Sequence, residues 1–234
     1  NAIIDANRPT VNKNAIIADD YRLLKINTLD NAPISGSFLE RFAKAVSSTE
    51  ADAVVFSDFR HGIFNKQTIP TLCKAIPEGV FKVADSQVAS RWGNITEFQG
   101  FDLITPNEKE ARFSLADQDS GIRPLAANLY DSAKCDFLIM KLGKRGILAC
   151  VNNDHESLDS FFVLDSFVDD LKDPVGAGDA LLAYSTLTML HTQSKVQAAI
   201  IGTLAASCEC EVDGNIPITP DDILAKLDAI EARP

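Results

Sequence analysis

The chain contains the string Asp-Pro-Val-Gly-Ala-Gly-Asp at positions 173–179, and an apolar helical stretch follows from Ala180. Small residues at 176–178 let the backbone approach a ligand closely and leave the first N–H groups of that helix without partners. Together with the positive end of the helix dipole, these N–H groups form an anion hole suited to a phosphoryl group. We therefore predict a role in phosphate transfer for Gly176, Ala177 and Gly178.

The last residue of this string, Asp179, places a carboxylate beside the anion hole. A carboxylate would weaken a site that only held anions, but it can accept the proton of a substrate hydroxyl while the N–H groups stabilise the phosphate. The alternative is a glycine-rich turn in which Asp179 is only a helix cap. The length of the whole string favours the first interpretation, so we predict that Asp179 is a general base.

Several short apolar runs end at a polar residue or a glycine. The runs cover residues 53–57, 80–84, 102–105 and 137–141, and they are followed by Asp58, Asp85, Asn107 and Gly143. Apolar strands that alternate with helical stretches predict a doubly wound α/β fold, with a mostly parallel sheet and helices on both faces. Ligands bind such sheets at the carboxyl ends of the strands. A single Asp or Asn there is more often a cap or turn residue, so only their recurrence favours a binding site.

The first residues and the last third depart from this alternation. Runs 11–18 and 21–27 are rich in β-forming residues and meet at Asp19-Asp20, which predicts a hairpin. Apolar positions predict helices over 177–191, 195–211 and 220–232. Small residues around Gly202 would let the middle helix pack closely. No repeat, low-complexity tract or linker marks a second domain, so we expect a single domain over residues 1–234.

Composition excludes several classes of partner. Lysine and arginine total 22 against 33 aspartate and glutamate residues, for a formal net charge of −11, which repels nucleic acid and anionic membranes. The five cysteines form no CxxC pair and predict free thiols. No apolar run has the length of a membrane span and no signal peptide is evident, so we expect a cytoplasmic protein. Because the chain opens at Asn1, we also expect it to be a piece of a longer one.

Residues 173–179 resemble the C-terminal signature of the ribokinase family, also called the phosphofructokinase-B type carbohydrate kinases, and the likeness spans nearly the whole chain. Residues 57–62 resemble a strand-end segment of the heptose-phosphate kinases of that family. Residues 8–10 and the hairpin resemble their lid, which makes residues 1–30 a lid hairpin and residues 31–234 a nucleotide-binding and catalytic core. The resemblance implies phosphotransfer from ATP, with Mg²⁺, to an alcohol group of a sugar or sugar phosphate, with a heptose-phosphate-like acceptor favoured.

The resemblance also implies roles for individual residues. The segment 105–111 resembles the family's N-x-x-E element, which organises the Mg²⁺ hydration shell, and the segment 142–146 resembles the glycine turn beside the nucleotide. The implied metal-site residues are Asn107, Glu110 and Asp173. The predicted nucleotide-binding residues are Gly143, Gly146, Asn107, Thr203 and Lys141, and Lys141 could instead be a solvated strand end. The implied substrate-binding residues are Lys13, Asp58, His61 and Asp85.

The chain departs from the family pattern at Pro174, Lys141 and Thr203, and the family's N-terminal substrate-binding stretch with its paired glycines is missing, so the sugar is not identified. The missing stretch and the substitutions at Pro174 and Thr203 keep open a non-catalytic nucleotide-binding or regulatory relative, and a ketose or nucleoside acceptor is a further alternative. A Rossmann dehydrogenase is disfavoured, because no G-x-G-x-x-G follows a first strand. We expect a homodimer through the lid hairpin, whose apolar residues could pair with those of a partner. These residues are Ile16, Ile17, Leu23, Leu24 and Ile26.

Overall fold

The computed structural model describes residues 2–18, 21–87, 95–214 and 216–232, with only the backbone of Arg22. Its strands are β1 (Asn12–Ala18), β2 (Tyr21–Thr28), β3 (Ala53–Asp58), β4 (Phe81–Ser86), β5 (Leu103–Ile104), β6 (Phe137–Lys141), β7 (Ile147–Cys150) and β8 (Phe161–Leu164). Its helices are α1 (Gly36–Ser48), α2 (Thr68–Ala75), α3 (Glu108–Leu115), α4 (Ile122–Ala133), α5 (Ala177–Thr192), α6 (Lys195–Cys210) and α7 (Pro220–Glu231).

The main sheet has the strand order β3-β4-β5-β6-β7-β8. Strands β3 to β6 are parallel, whereas β7 and β8 each pair antiparallel with the preceding strand. The predicted mostly parallel sheet is therefore confirmed. The parallel register brings the carboxyl ends of β3 to β6 to one edge of the sheet, where Asp58 pairs in register with Ser86 and where Asn107 bridges to Lys141.

Both faces of the sheet are covered by helices, as the alternation of strands and helices predicts. Successive residues of β6 point to opposite faces, so Leu138 packs in a cluster with residues of α2, α3 and α4, while Ile139 packs in a cluster with residues of α5 and α6. Both side chains are fully buried. Nearly continuous apolar strands are typical of a sheet that is buried on both faces.

Helices α5 and α6 pack closely because their contact is lined by small residues. A Cβ atom on Gly202 would lie 2.0 Å from Ser185 Oγ, and that hydroxyl donates a hydrogen bond to Ala198 O at 3.0 Å. The close contact holds α5 against the sheet, so the start of α5 lies near the carboxyl ends of the strands. Helix α7 packs against α6 through a third apolar cluster, which includes Leu204 of α6 and Ile223 of α7.

The hairpin β1–β2 forms its own two-stranded sheet, as predicted, with a register shift between Ile16 and Ile17. The predicted turn residues Asp19 and Asp20 lie outside the described residues. Every residue of β1 is exposed. The described part of the chain therefore leaves the apolar side chains of the hairpin open to solvent, and the role of the hairpin as a lid stays a prediction.

Three elements are absent from the sequence-based prediction: α1, α4 and β8. Helix α1 packs Leu39, Phe42 and Ala43 against the core, a spacing typical of an amphipathic helix, so its sequence does carry a helical pattern, whereas β8 is a short edge strand with little pattern. The five cysteines are free thiols, as predicted, and burial raises the pKa of Cys135 to about 12 and that of Cys150 to about 11. Among the described helices, none has the length and apolar character that crossing a membrane requires.

Candidate active site

The predicted anion hole lies at the start of α5. Gly176 precedes the helix with a φ of +93°, a left-handed conformation that favours glycine, and no side chain caps this end of the helix. The first intrahelical bond runs from Ala180 N to Gly176 O at 2.9 Å. The amides of the residues between them have no acceptor within the helix, because an α-helix leaves its first N–H groups unpaired. These amides belong to Ala177, Gly178 and Asp179.

The ammonium group of Lys141 lies beside this helix start. A Cβ atom on Gly178 would be 3.2 Å from Lys141 Nζ, so the absence of a side chain at position 178 leaves room for that group. Lys141 is the last residue of β6, and its parallel bridge to Asn107 and its N–H bond to Pro106 O, at 2.8 Å, fix its backbone. An ammonium beside unpaired amides is an arrangement that binds phosphate.

Asp85 holds the Lys141 side chain in place. Lys141 Nζ lies 3.1 Å from Asp85 Oδ1 and 3.3 Å from Asp85 Oδ2, and Thr105 Oγ1 donates to Asp85 Oδ1 at 3.2 Å. Asp85 has 4% of its surface exposed. The predicted substrate residue Asp85 and the predicted nucleotide residue Lys141 are thus one ion pair, and three neighbouring strands converge on it.

Asp179 reaches solvent, but surrounding protein atoms desolvate its carboxylate in part. This desolvation raises the pKa of Asp179, and the negative charge of Asp85 raises it further, while Lys141 and Lys13 act in the opposite direction. A general base works best when its pKa approaches the working pH. The structure therefore brings the predicted base close to two lysines and the buried carboxylate.

Lys13 extends from the hairpin towards the core. Its Nζ lies 5.1 Å from the centre of the Phe59 ring, and that ring stacks on the imidazole of His61 with a centroid separation of 6.5 Å. The charge of Lys13 also acts on Asp179, so the β1–β2 hairpin and the end of β3 flank the same region. Lys13 and His61, both predicted to bind substrate, are brought together.

His61 and Asp58 differ in how their polar atoms are used. His61 Nδ1 lies 3.3 Å from Asn31 Oδ1, while its buried Nε2 has no hydrogen-bond partner in the described part of the chain. Burial and the charge of Lys13 lower the pKa of His61. The carboxylate of Asp58 accepts hydrogen bonds from the backbone and side chain of Arg60 and from Ser86 Oγ. Asp58 thus holds the loop after β3, and its predicted contact with substrate stays a prediction.

Asn107 and Glu110 form a reciprocal cap at the start of α3. Glu110 N donates to Asn107 Oδ1 at 2.9 Å, and Asn107 N donates to Glu110 Oε2 at 2.7 Å. Asp173 similarly accepts a hydrogen bond from Val175 N at 3.1 Å. Among the described residues, no three metal-ligating side chains come together.

The turn between β6 and β7 contains two glycines whose roles differ. A Cβ atom on Gly146 would lie 2.0 Å from Leu164 O, so Gly146 is required for packing against the end of β8. Gly143 has open space at the same position and borders a cleft of about 340 Å³. The cleft is lined by Asn107, Glu108, Lys109, Arg112, Phe113, Gln118, Lys141, Leu142 and Gly143.

Thr203 is the predicted nucleotide residue that the structure places least favourably. Its side chain is buried in α6, and its hydroxyl donates to Ala199 O at 2.7 Å within the same helix. A nucleotide contact through this hydroxyl would need its second hydrogen-bonding position, because the proton is already used. Its role in nucleotide binding stays a prediction.

Sequence reasoning missed Glu209, which lies close enough to the signature to sense its charges. Only 2% of Glu209 is exposed, and its Oε1 has no hydrogen-bond partner among the described residues. Burial raises the pKa of Glu209, and the negative charges of Asp179 and Asp173 raise it further. No sequence signal could have identified it, because Glu209 is the penultimate residue of an apolar helix whose packing decides its burial.

The sequence of this chain matches a known protein family and several curated proteins. Residues 2–222 match the family described as pfkB family carbohydrate kinase. The chain is 22% identical over 228 residues to the bifunctional protein HldE of Helicobacter hepaticus, covering 94% of this chain and 45% of that protein. It is 24% identical over 233 residues to the HldE of Desulfatibacillum aliphaticivorans, with coverages of 96% and 45%. The chain thus spans about half the length of the curated relatives that it matches.

Solved structures show the same fold at low identity. Phosphofructokinase-2 from Escherichia coli in complex with potassium superposes with a TM-score of 0.71 at 18% identity, covering 90% of this chain and 66% of that chain. Ribokinase from Arabidopsis thaliana, complexed with ribose and ATP, superposes with a TM-score of 0.68 at 19% identity, with coverages of 94% and 70%. The sheet order, the helix start at Gly176 and the match over residues 2–222 agree: the chain belongs to the pfkB family of carbohydrate kinases.

Proposed function

We propose that this chain is the catalytic core of an ATP-dependent sugar kinase in which Asp179 is the general base. One observation carries the proposal: the Asp179 carboxylate stands at the uncapped start of α5, where the Lys141 ammonium lies beside Gly178. A carboxylate and an anion hole in the same place are the two groups that phosphoryl transfer to an alcohol needs. Family membership supports the same reaction class.

In the proposed reaction, the oxygen of the acceptor hydroxyl forms a bond to the γ-phosphorus of ATP as the bond from that phosphorus to the bridging oxygen breaks. Asp179 accepts the hydroxyl proton, and ADP leaves. The amides of Ala177 and Gly178 and the ammonium of Lys141 stabilise charge on the transferred phosphoryl group. Asp85 keeps that ammonium in position.

Magnesium, when bound with the nucleotide, would neutralise charge on the phosphates. Asn107, Glu110 and Asp173 are the residues that we propose to hold its hydration shell. Glu110 has 5% of its surface exposed, and its carboxylate is oriented by the cap with Asn107. These residues therefore offer a pre-oriented carboxylate and amide near Lys141, where phosphates are proposed to bind.

The acceptor that we favour is a sugar phosphate of the heptose-phosphate type. Two observations support it: the likeness to proteins named HldE, and the positive charge of Lys13 beside His61 on the lid side of the site. A ketose or nucleoside is the alternative acceptor. A heptose phosphate brings a phosphate of its own in addition to those of ATP, whereas an unphosphorylated ketose or a nucleoside brings none. A lysine beside an imidazole is a suitable partner for that phosphate.

A second candidate function is nucleotide binding without catalysis. It is favoured by Pro174 within the signature and by Thr203, whose hydroxyl is used in a hydrogen bond within α6. Retention of Asp179 argues against it, because a protein that only binds nucleotide has no need of a base at that position.

A screen of sugars and sugar phosphates with ATP and Mg²⁺, using the complete polypeptide, tests the proposal. We expect ADP release that depends on one acceptor class, with a heptose phosphate the best. ATP binding measured by calorimetry, combined with no turnover on any acceptor, would support the non-catalytic candidate instead. Binding of NAD in the absence of ATP binding would overturn both.

A further inference from the structure

The segment that leads into the anion hole has no regular secondary structure. It runs from the end of β8 at Leu164 to the start of α5 at Ala177. Because no sheet or helix fixes this segment, its position depends on individual hydrogen bonds to neighbouring elements. The aim of the anion-hole amides depends on those bonds, since the segment ends at Gly176.

Most of the described tertiary hydrogen bonds of this segment go to the end of α6. Lys172 N and Asp173 N both donate to Cys210 O, at 2.9 and 3.2 Å. Asp169 N donates to Glu211 Oε1 at 2.6 Å. The segment is therefore attached to α6 at two successive residues, one through a backbone carbonyl and one through a carboxylate.

A lysine on α7 controls the carboxylate of this attachment. Lys226 Nζ lies 2.7 Å from Glu211 Oε1, the same atom that accepts from Asp169 N, and 2.8 Å from Asp169 Oδ2. Only 8% of the Lys226 side chain is exposed, against 23% for Glu211 and 56% for Asp169. The buried Lys226 ammonium thus orients the Glu211 carboxylate and offsets the repulsion between the carboxylates of Glu211 and Asp169.

We propose that Lys226 is a positioning residue for the anion hole, acting through Glu211 and Asp169 on the segment that ends at Gly176. Removal of the ammonium would leave two carboxylates close together, and Glu211 would turn towards solvent and release Asp169 N. The segment would then lose one of its two attachments. Its catalytic meaning rests on the proposed function, because misplaced amides matter only if they stabilise a phosphoryl group.

Hydrogen exchange and kinetics of Lys226→Met, Lys226→Arg and the parent protein test this inference. We expect Lys226→Met to speed exchange of the amides at 169–176 by roughly 10-fold, and to lower kcat/KM for ATP by roughly 10-fold to 10²-fold. Lys226→Arg keeps a charged donor and should restore most of both. Exchange is measured without nucleotide, so it reports on the segment even if the parent protein fails to bind ATP, which would overturn only the proposed function.

Lys195→Met is the matched control. Lys195 is also partly buried and also joins a carboxylate, since its Nζ lies 2.9 Å from Asp136 Oδ2, but Asp136 precedes β6 and therefore lies at the opposite end of the sheet. We expect this variant to lower the melting temperature without changing exchange at 169–176 or kcat/KM for ATP. If Lys226→Met behaves like Lys195→Met in all three measurements, Lys226 only stabilises the fold and the inference is wrong.

A milder variant keeps the test decisive if Lys226→Met fails to fold. In Glu211→Gln an amide oxygen can still accept from Asp169 N, but the charge that holds Lys226 is removed. We expect faster exchange at 169–176 and a smaller loss of kcat/KM for ATP than in Lys226→Met. Unchanged exchange in a folded Glu211→Gln protein would overturn the inference.

Discussion

Lys141 Nζ lies 3.1 Å from Asp85 Oδ1, and the same ammonium borders the space beside Gly178. One cation thus joins a buried carboxylate at the end of β4 to the anion hole at the start of α5. The two residues are 56 positions apart in sequence. Their pairing joins the ends of two parallel strands beside the helix start where we propose that a phosphate binds.

Asp179→Asn should abolish most turnover while leaving the protein folded. Asparagine has a similar volume but cannot accept a proton at neutral pH, and no capping bond is lost because no side chain caps the start of α5. We expect kcat to fall by a factor on the order of 10² to 10⁴, with ATP affinity nearly unchanged in calorimetry. Unfolding of Asp179→Asn with normal activity per folded molecule would make Asp179 a structural residue instead of a base.

The pH dependence should reflect the raised pKa of Asp179. Because desolvation and Asp85 favour the neutral acid, kcat/KM should fall on acidification at a pH above the ordinary aspartate range.

The stability of the fold should depend on pH in the opposite direction from activity. The pKa of Asp179 is raised in the folded state, so the contribution of Asp179 to the free energy of unfolding is lost as pH rises through that pKa. Asp179→Asn should therefore melt at the same or a slightly higher temperature than the parent at neutral pH, and this difference should vanish in acid.

Lys141→Met should lower both stability and nucleotide binding. It leaves the Asp85 carboxylate buried with only Thr105 as a described side-chain donor, which costs on the order of 3 kcal/mol. Adding Asp85→Asn removes the unpaired charge, so we expect the double variant to be more stable than Lys141→Met alone, although ATP binding stays weak. Denaturant unfolding and calorimetry measure the two effects, and strictly additive losses of stability would contradict the pairing.

Gly178→Val should weaken ATP binding through crowding alone. The φ of Gly178 is in the ordinary range, but its Cβ would lie 3.2 Å from Lys141 Nζ, and the larger branches would reach into the anion hole. We expect an ATP affinity lower by roughly 10-fold or more. Gly36→Val at the start of α1, where a Cβ meets nothing within 4 Å, is the control and should bind ATP normally. If Gly178→Val and Gly36→Val bind ATP with equal affinity, the phosphate does not bind beside Gly178.

The apolar hairpin should mediate a homodimer. Ile17 is 62% exposed and Leu23 is 60% exposed, and an isolated two-stranded hairpin is marginal in water without a partner surface. Light scattering should show a dimer for the parent and a monomer for Ile17→Lys combined with Leu23→Lys. Leu158→Lys, at an 80% exposed position outside the hairpin, should remain dimeric. If light scattering shows only monomer for the parent protein at working concentration, the prediction of a dimer is wrong.

Much of the site could be predicted because its parts are local. The helix start at 176–179, the cap formed by Asn107 and Glu110, and the positions of Asp58 and Asp85 at strand ends all follow from residue types within a few positions of one another. Steric rules for glycine, unpaired helix amides and strand alternation act over that range. The hairpin and the mostly parallel sheet followed from the same patterns.

The sequence by itself determined the family signature, the fold class and the ends of the strands where the site would form. Only the tertiary structure decided that Lys141 binds Asp85, that Glu209 is buried near Asp179, and that Lys226 holds the segment before Gly176. These relationships join residues on different elements. They depend on how helices pack on the sheet, and ion pairing and burial are set by that packing rather than by neighbours in sequence.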